Sequence, residues 1–310
     1  MAIQTDIIDR LPLNSRVAVI RLRSLGDSVL CTPALHLLKC ARPDLRLAIV
    51  VEERFAGVFE GNPDIAEILP PSARALRAFA PHLCVNLHGG SRSARLTALS
   101  GATTRAGFDI FRPSWIYNAP IPTAQETLGI ERRVHTAEHA ASAMFHLGVP
   151  LSEVPRACLY APEGPSPFAP AKPYAVIHPF AAAPEKTWPA RSFLELVRYL
   201  EFEPVVVGGA TDDFGSFESL KAAPGLTLSE LKRLVRGASL FIGNDSGPAH
   251  VAAAFGVPEV VFFGPSDSQI WSPWRTSNVI LKGTPIAGIS VSAAVEAVET
   301  LRSREGVAIR

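Results

Sequence analysis

Apolar residues along the chain fall into short continuous runs separated by stretches with helical spacing. "SRVAVIRL" (15–22) has the β-rich character of a strand buried on both faces. A glycine-containing turn follows, and "SVLCTPALHLLKCA" (28–41) then predicts a helix with Pro33 near its start or at a kink. "LRLAIVV" (45–51), "IAEILP" (65–70) and "HLCVNLH" (82–88) read as further strands, with helical segments such as 71–80 between them. This rhythm predicts a parallel sheet covered by helices on both faces. Over 108–125 it blurs into prolines and aromatics without a period, and 126–148 then reads as one long helix ending at Gly148 and Pro150.

"APEGPSPFAPAKP" (161–173) has the composition of a linker. After it the rhythm restarts. "YAVIHP", "PVVVGG", "SLFIGN" and "EVVFFGP" are strands; "ARSFLELVRYLE", "LSELKRLVRGA" and "PAHVAAAFG" are helices. An amphipathic helix over about 290–303 closes the pattern. Two α/β domains are therefore expected, 1–165 and 166–310, with no convincing sequence repeat between them.

Composition narrows the function classes. Hydrophobic residues make up 47% and charged residues 19%, as in a well-cored globular chain. Thirty Lys and Arg against 29 Asp and Glu give a formal charge of +1, which argues against bulk nucleic-acid binding. The opening residues carry two aspartates and no apolar core of a secretory signal, and no apolar run reaches the roughly 18–20 residues of a membrane span. The expectation is a soluble cytoplasmic protein, peripheral to a membrane at most. Cys31, Cys40, Cys84 and Cys158 form no CxxC pair and are expected as reduced thiols, mostly buried. No DxD, HExxH or Cys/His cluster suggests a metal.

Three segments could carry chemistry. In "FIGNDSGPAHVAAAFG" (241–256) a strand meets a helix through polar and conformationally special residues. Pro248 suits the helix start, Gly247 allows close backbone approach, and the first turn favours an anion. His250 could hydrogen-bond a phosphate, and Asp245 and Ser246 lie at the strand's carboxyl end, the usual ligand side. The same residues also fit a plain capped helix. In "RLRSLGDSVLCTPAL" (21–35) Asp27 could serve as a general base or equally as a first-turn acid. This is not GxGxxG, and only Glu52 and Glu53 approach the ribose-binding acid of a dinucleotide site, so a nicotinamide dehydrogenase is a distant alternative. In "IHPFAAAPEKTWPARSF" (177–193) Lys186 could neutralise a diphosphate, although a lone Lys is usually a solvated charge.

Together these segments resemble glycosyltransferase family 9, the ADP-heptose:lipopolysaccharide heptosyltransferases. The resemblance rests on Ser24-Leu25-Gly26-Asp27, Thr32-Pro33-Ala34-Leu35, His178-Pro179, Lys186-Thr187-Trp188, "GNDSGPAHVAAAFGVPEVVFFGPSD" (243–267) and Trp271-Ser272-Pro273-Trp274. It implies a GT-B fold, two Rossmann-like domains with parallel sheets facing a central cleft, and a last helix that crosses back onto the first domain. It implies an inverting, metal-independent transfer without cofactor, with Asp27 as the base. Lys186, Ser246, Gly247 and His250 would hold the donor diphosphate, and Asp245 the donor sugar's hydroxyls. The partners would be a nucleotide sugar, ADP-heptose, and an anionic lipid-linked oligosaccharide at the inner membrane. Arg92, Arg95, Arg105 and Arg112 are the candidates for the acceptor's acidic groups, or else scattered solvated arginines. The chain departs from the family at Phe180, where a glycine is usual, and in the cysteine-free segment "TSNVILKGTPIAGIS". Those departures keep two alternatives open: another nucleotide sugar, or a binding protein without transfer.

Overall fold

The computed structural model describes residues 5–305. The chain divides into two compact units, Met1–Tyr160 and Ala161–Arg310. The proline-rich stretch belongs to the second, where the Arg236 guanidinium donates to the carbonyls of Ala161 (3.3 Å) and Gly164 (3.2 Å).

The first unit is built on a six-stranded parallel sheet: β1 (Arg16–Ile20), β2 (Arg46–Val50), β3 (Glu67–Leu69), β4 (Leu83–Asn86), β5 (Thr104–Phe108) and β6 (Ala119–Ile121). Its strand order is 3-2-1-4-5-6. The second unit repeats the plan with β7 (Tyr174–His178), β8 (Glu203–Gly208), β9 (Lys221–Pro224), β10 (Leu240–Asn244), β11 (Glu259–Phe263) and β12 (Asn278–Lys282). Its order, β12-β11-β10-β7-β8-β9, is the same order read from the other edge. Each sheet therefore reverses direction between its first and fourth strands, and in such sheets ligands bind outside the carboxyl ends at that reversal. The central strands are buried throughout, which explains their unbroken apolar runs.

Several elements differ from the sequence expectation. The helix expected over 126–148 is two, Ala124–Leu128 and Thr136–Leu147. Gly129 ends the first at φ +66°, and His135 caps the second, its ring accepting from Ala137 N–H (3.2 Å) while Glu138 accepts from His135 N–H. The helix over 28–41 is also two, Leu25–Leu30 and Thr32–Ala41, with Pro33 in the first turn of the second. β5, β6, β9 and β12 are not legible as strands: β6, β9 and β12 are edge strands that are short or only partly buried, and the inner strand β5, Thr-Arg-Ala-Gly-Phe, has no continuous apolar run. The closing helix, Val291–Glu305, buries Ala294, Ala297, Val298 and Leu301 in the core of its own unit with Trp188, Phe193 and Phe262. Of the four free thiols, Cys31 and Cys84 are buried, Cys158 is half-buried and Cys40 is exposed. Burial pushes both buried thiols up to about 12.

One core residue works against stability. Glu259, at the amino end of β11, is fully buried, and neither carboxyl oxygen has a hydrogen-bond partner among the described residues. Burial raises its pKa well above the ordinary 4.5. A raised carboxyl makes the fold relatively most stable below the unfolded pKa, and stability falls as pH climbs towards the folded value. Glu259→Met is therefore expected to gain about 1–3 kcal/mol at neutral pH. The gain should shrink as pH falls towards the ordinary carboxylate range, which urea unfolding at several pH values would measure.

Candidate functional site

At the reversal of the first sheet, the loops after β1 and β4 lie side by side. Ser24 caps the helix Leu25–Leu30, and Asp27 is the third residue of that helix. Ser24 donates to Asp27 Oδ2 through its N–H (3.1 Å) and its hydroxyl (2.8 Å). The Arg21 guanidinium pairs with Asp27 Oδ1 and also donates to the Leu87 carbonyl after β4. A carboxylate offers about four lone-pair sites. Three are engaged here, and the side chain keeps 16% exposure towards an open cavity of about 570 Å³. Arg21, Arg23, Ser24, Arg54, Phe55 and His88 line that cavity with Asp27. A second cavity of about 510 Å³ shares Arg23 and His88 and adds Leu22, Glu52, Gly89, Gly90, Ser91 and Arg92.

Asn86, buried at the end of β4, shapes this rim. Its carbonyl oxygen accepts from the N–H groups of His88 (3.0 Å) and Gly89 (3.2 Å), and its amide donates to Ser93 and Tyr117. Gly89 and Gly90 take φ of +73° and +80°, and a Cβ on Gly89 would meet the Phe111 ring at 2.8 Å. Burial, and then the charges of Arg21 and Arg23, lower the His88 pKa, so the imidazole is neutral at neutral pH.

The sequence-derived arginines separate. Arg92 lines the rim and pairs with Glu52 at 2.6 Å. Glu52, considered above as a ribose ligand, is held by both Arg92 and Arg54. Arg95 is exposed on the helix Gly90–Leu99. Arg112 is exposed and donates to the carbonyls of Asp109 and Phe111. Arg105 donates to the carbonyls of Ile116 (2.9 Å) and Ala102 (3.2 Å), bracing a turn and lining neither cavity. Arg23, Arg54 and His88 were missed by the sequence reading. The signal available for His88 was the Gly-Gly pair directly after a buried strand.

At the reversal of the second sheet the loops after β7 and β10 meet. Asn244, fully buried, ties them together: its amide donates to the Pro179 carbonyl and its oxygen accepts from Trp188 N–H, each at 2.9 Å. The Trp188 ring stacks on Phe262 and its Nε1 donates to the Ile289 carbonyl. Gly264 lets the turn Pro184–Lys186 come close, since a Cβ there would lie 2.2 Å from the Glu185 carbonyl oxygen. Lys186 Nζ thereby reaches Asp245 Oδ2 at 3.2 Å, the lysine half-exposed and the aspartate nearly buried. Ser246 stands at the N-cap position of the helix Gly247–Phe255 without a side-chain capping bond, and its hydroxyl lies 3.0 Å from His178 Nδ1 instead. Burial takes the His178 pKa down to about 4, so this partner is a neutral imidazole. His250 is buried in the first turn of the same helix. Asp245, Ser246, Gly247, His250 and Lys186 thus share one sheet edge, with a helix N-terminus and an ammonium suited to an anion.

Phe180 has a structural complement. Its ring lies over Gly208 at the end of β8, where a Cβ would come within 2.5 Å, and packs with Phe214 (4.9 Å between centroids) and Phe217 (6.0 Å). Among the described residues, no group of three or more His, Cys, Asp or Glu side chains is arranged to hold a metal.

The model of glycosyltransferase family 9 (heptosyltransferase) matches residues 72–292. The chain belongs to glycosyltransferase family 9. It is accordingly a glycosyltransferase. Lipopolysaccharide heptosyltransferase 3 of Escherichia coli K12 is 25% identical over 296 residues, 84% of this chain and 85% of that protein. Among solved structures, a family 9 glycosyl transferase from Veillonella parvula superposes with a TM-score of 0.82 at 23% identity, covering 97% of this chain and 99% of the other. E. coli ADP-heptose lps heptosyltransferase II gives a TM-score of 0.80 at 18% identity, covering 94% and 100%. These likenesses make the fold GT-B, as the family resemblance implied.

Proposed function

We propose that this family 9 enzyme transfers heptose from ADP-heptose to an anionic, lipid-linked lipopolysaccharide core sugar, with inversion and without a metal. The observation that carries the donor half is the Lys186–Asp245 pair beside the Ser246–His250 turn, at the reversal of the second sheet. The donor named for the E. coli heptosyltransferase II relative supports ADP-heptose. In this reading Lys186, Ser246, Gly247 and His250 hold the diphosphate, and Asp245 takes the donor sugar's hydroxyls.

On the first unit, an acceptor hydroxyl occupies the remaining lone-pair site of Asp27. Its oxygen forms a bond to the anomeric carbon as the bond from that carbon to the diphosphate breaks. The hydroxyl proton passes to Asp27, and ADP leaves with the bonding electrons. Arg21 and Ser24 orient the carboxylate, a positioning role. Lys186 and the helix N-terminus offset the charge that develops on the leaving diphosphate. Arg23, Arg54 and Arg92 face the acceptor's acidic groups, with Arg95 and Arg112 further out. Arg105, half-buried with Nε and Nη1 donating to backbone carbonyls, leaves the proposed set, whereas Arg112 engages only Nη1 in that way and stays exposed. The acceptor would be met at the cytoplasmic face of the inner membrane.

Phe180 favours a second reading, transfer from another nucleotide sugar, because its ring replaces a glycine beside His178. Calorimetric titration with ADP, UDP and GDP in the presence of a chelator separates the two. Selective ADP binding, weakened about 10- to 100-fold in His250→Ala by loss of a charge-assisted hydrogen bond, is the expected result. Selectivity for UDP or GDP would replace the donor and keep the fold.

A further inference from the structure

The connection between β5 and β6, residues 109–118, crosses the outside of the first unit and sorts its apolar side chains into two sets. Phe111 packs edge-on against Phe108 and covers Gly89, while Ile116 and Tyr117 are buried against Ala94 of the helix Gly90–Leu99. The Tyr117 hydroxyl accepts from Asn86. These anchors hold the connection in place. Ile110 and Trp115 point the other way and stay 58% and 80% exposed. Among the described residues neither belongs to a hydrophobic core cluster, and a tryptophan at 80% exposure is unusual for a residue so large and apolar.

Their surroundings are basic. Between Gly89 and Asn118 the sequence carries four arginines, Arg92, Arg95, Arg105 and Arg112, against a single acid, Asp109. Arg105 is turned inward, but Arg112 is exposed within the same segment as the outward tryptophan, and Arg95 is exposed on the helix Gly90–Leu99, whose Ala94 packs against Ile116. Exposed tryptophan with flanking arginine is the chemistry of a water–bilayer boundary, where the indole sits at headgroup level and guanidinium groups attract anionic lipid. The connection also borders the second cavity, which shares Arg23 and His88 with the Asp27 cavity, because Phe111 packs on Gly89, which lines it. Among the described residues no helix is long and apolar enough to cross a membrane.

We propose that residues 109–117 form a membrane-contact loop that seats Ile110 and Trp115 in an anionic lipid surface, with Arg112 and Arg95 against the headgroups. The inference rests on the reading above in one respect: a lipid-linked acceptor explains why such a loop borders the Asp27 rim. The contact itself is a property of the free enzyme and is testable without turnover.

The test is co-sedimentation of the full chain with acceptor-free vesicles of phosphatidylethanolamine and phosphatidylglycerol, beside pure phosphatidylcholine vesicles. Wild type should partition onto the anionic vesicles, less onto phosphatidylcholine, and less as salt rises. The double variant Ile110→Ser/Trp115→Ser should lose about tenfold or more in partition, since it removes the interfacial anchors. Its unfolding midpoint should match wild type, because both side chains are exposed. Transfer to a deacylated, water-soluble acceptor should be unchanged in that variant, while transfer to the vesicle-borne acceptor falls. Failure of wild type to bind anionic vesicles, or equal binding by the variant, would overturn the proposal. A loop that instead holds two copies together, seen as a dimer that Trp115→Ser dissociates in the ultracentrifuge, would overturn it as well. Vesicle binding that persists in a protein unable to bind ADP would uphold the loop and sink the donor assignment, so the two readings fail separately.

Discussion

Asp27→Asn is expected to lower kcat for heptose transfer by about 10²- to 10⁴-fold, the range a positioned general base contributes. ADP affinity should stay within about twofold of wild type, because the proposed donor groups belong to the other unit of the chain. Asparagine keeps the size of the side chain and an oxygen that can accept from Ser24, so the start of the helix Leu25–Leu30 survives. Asp27→Ala should lose at least as much activity and also about 1 kcal/mol of stability through the cap. Single-turnover measurements with saturating donor check both. A variant that turns over like wild type would remove Asp27 from the chemistry and return it to the role of a first-turn acid. The same measurement on Arg21→Met would show how much of the effect depends on the guanidinium that holds Oδ1.

Lys186→Ala is the second large effect, with an expected loss of about 10²–10³-fold in kcat if its ammonium meets the leaving diphosphate. The cost has two origins that a second variant can separate. One is the lost positive charge as the anomeric bond breaks. The other is Asp245, nearly buried, which loses its counter-ion at 3.2 Å. Lys186→Ala/Asp245→Asn removes both charges and should recover stability without recovering kcat. If the double variant recovers turnover instead, Lys186 serves Asp245 and not the diphosphate.

How much of this was legible before folding depended on where each signal was stored. Strands β1, β2, β4, β7, β8, β10 and β11 announce themselves because burial on both faces demands continuous apolar runs. The edge strands β3, β6, β9 and β12 are short or half-buried, and of these only β3 is legible; the inner strand β5 is missed as well, because Thr104 and Arg105 break its apolar run. The 126–148 segment has helical periodicity across Gly129, and periodicity cannot register that the glycine takes φ +66° and stops the helix. Strand order is absent from any local pattern. It is nevertheless what brings the loop of Asp27 next to His88 and the loop of Lys186 next to Asp245.

The turn proposed here for the donor stands out in the sequence because its residues are contiguous, from Gly243 to His250. Lys186 gives only a weak signal by itself, a lone lysine in a loop, which the family pattern strengthens, and the reason it reaches Asp245 is held elsewhere, in Asn244 bracing Trp188 and in Gly264 yielding to the Pro184–Lys186 turn. The arginines show the opposite failure. Arg92, Arg95, Arg105 and Arg112 are close in sequence, but helix and strand geometry sends them to different places, and Arg105 ends on backbone carbonyls. Arg23 and His88 come from two separate loops and Arg54 from the short helix Glu53–Ala56, and they meet only once the sheet is assembled. Phe180 looked like damage to a glycine site. Folded, it is paired with Gly208, a substitution and its complement some thirty residues apart in sequence and in van der Waals contact in space.

The most direct test of the central claim is a transfer assay with purified enzyme, a chelator, ADP-heptose and a heptose-free lipopolysaccharide core acceptor, run beside UDP- and GDP-linked sugars and read by mass spectrometry of the acceptor. The account predicts a single heptose mass increment from ADP-heptose, undiminished by the chelator and lost in Asp27→Asn. No increment from ADP-heptose, with transfer from a UDP- or GDP-sugar in its place, would contradict it.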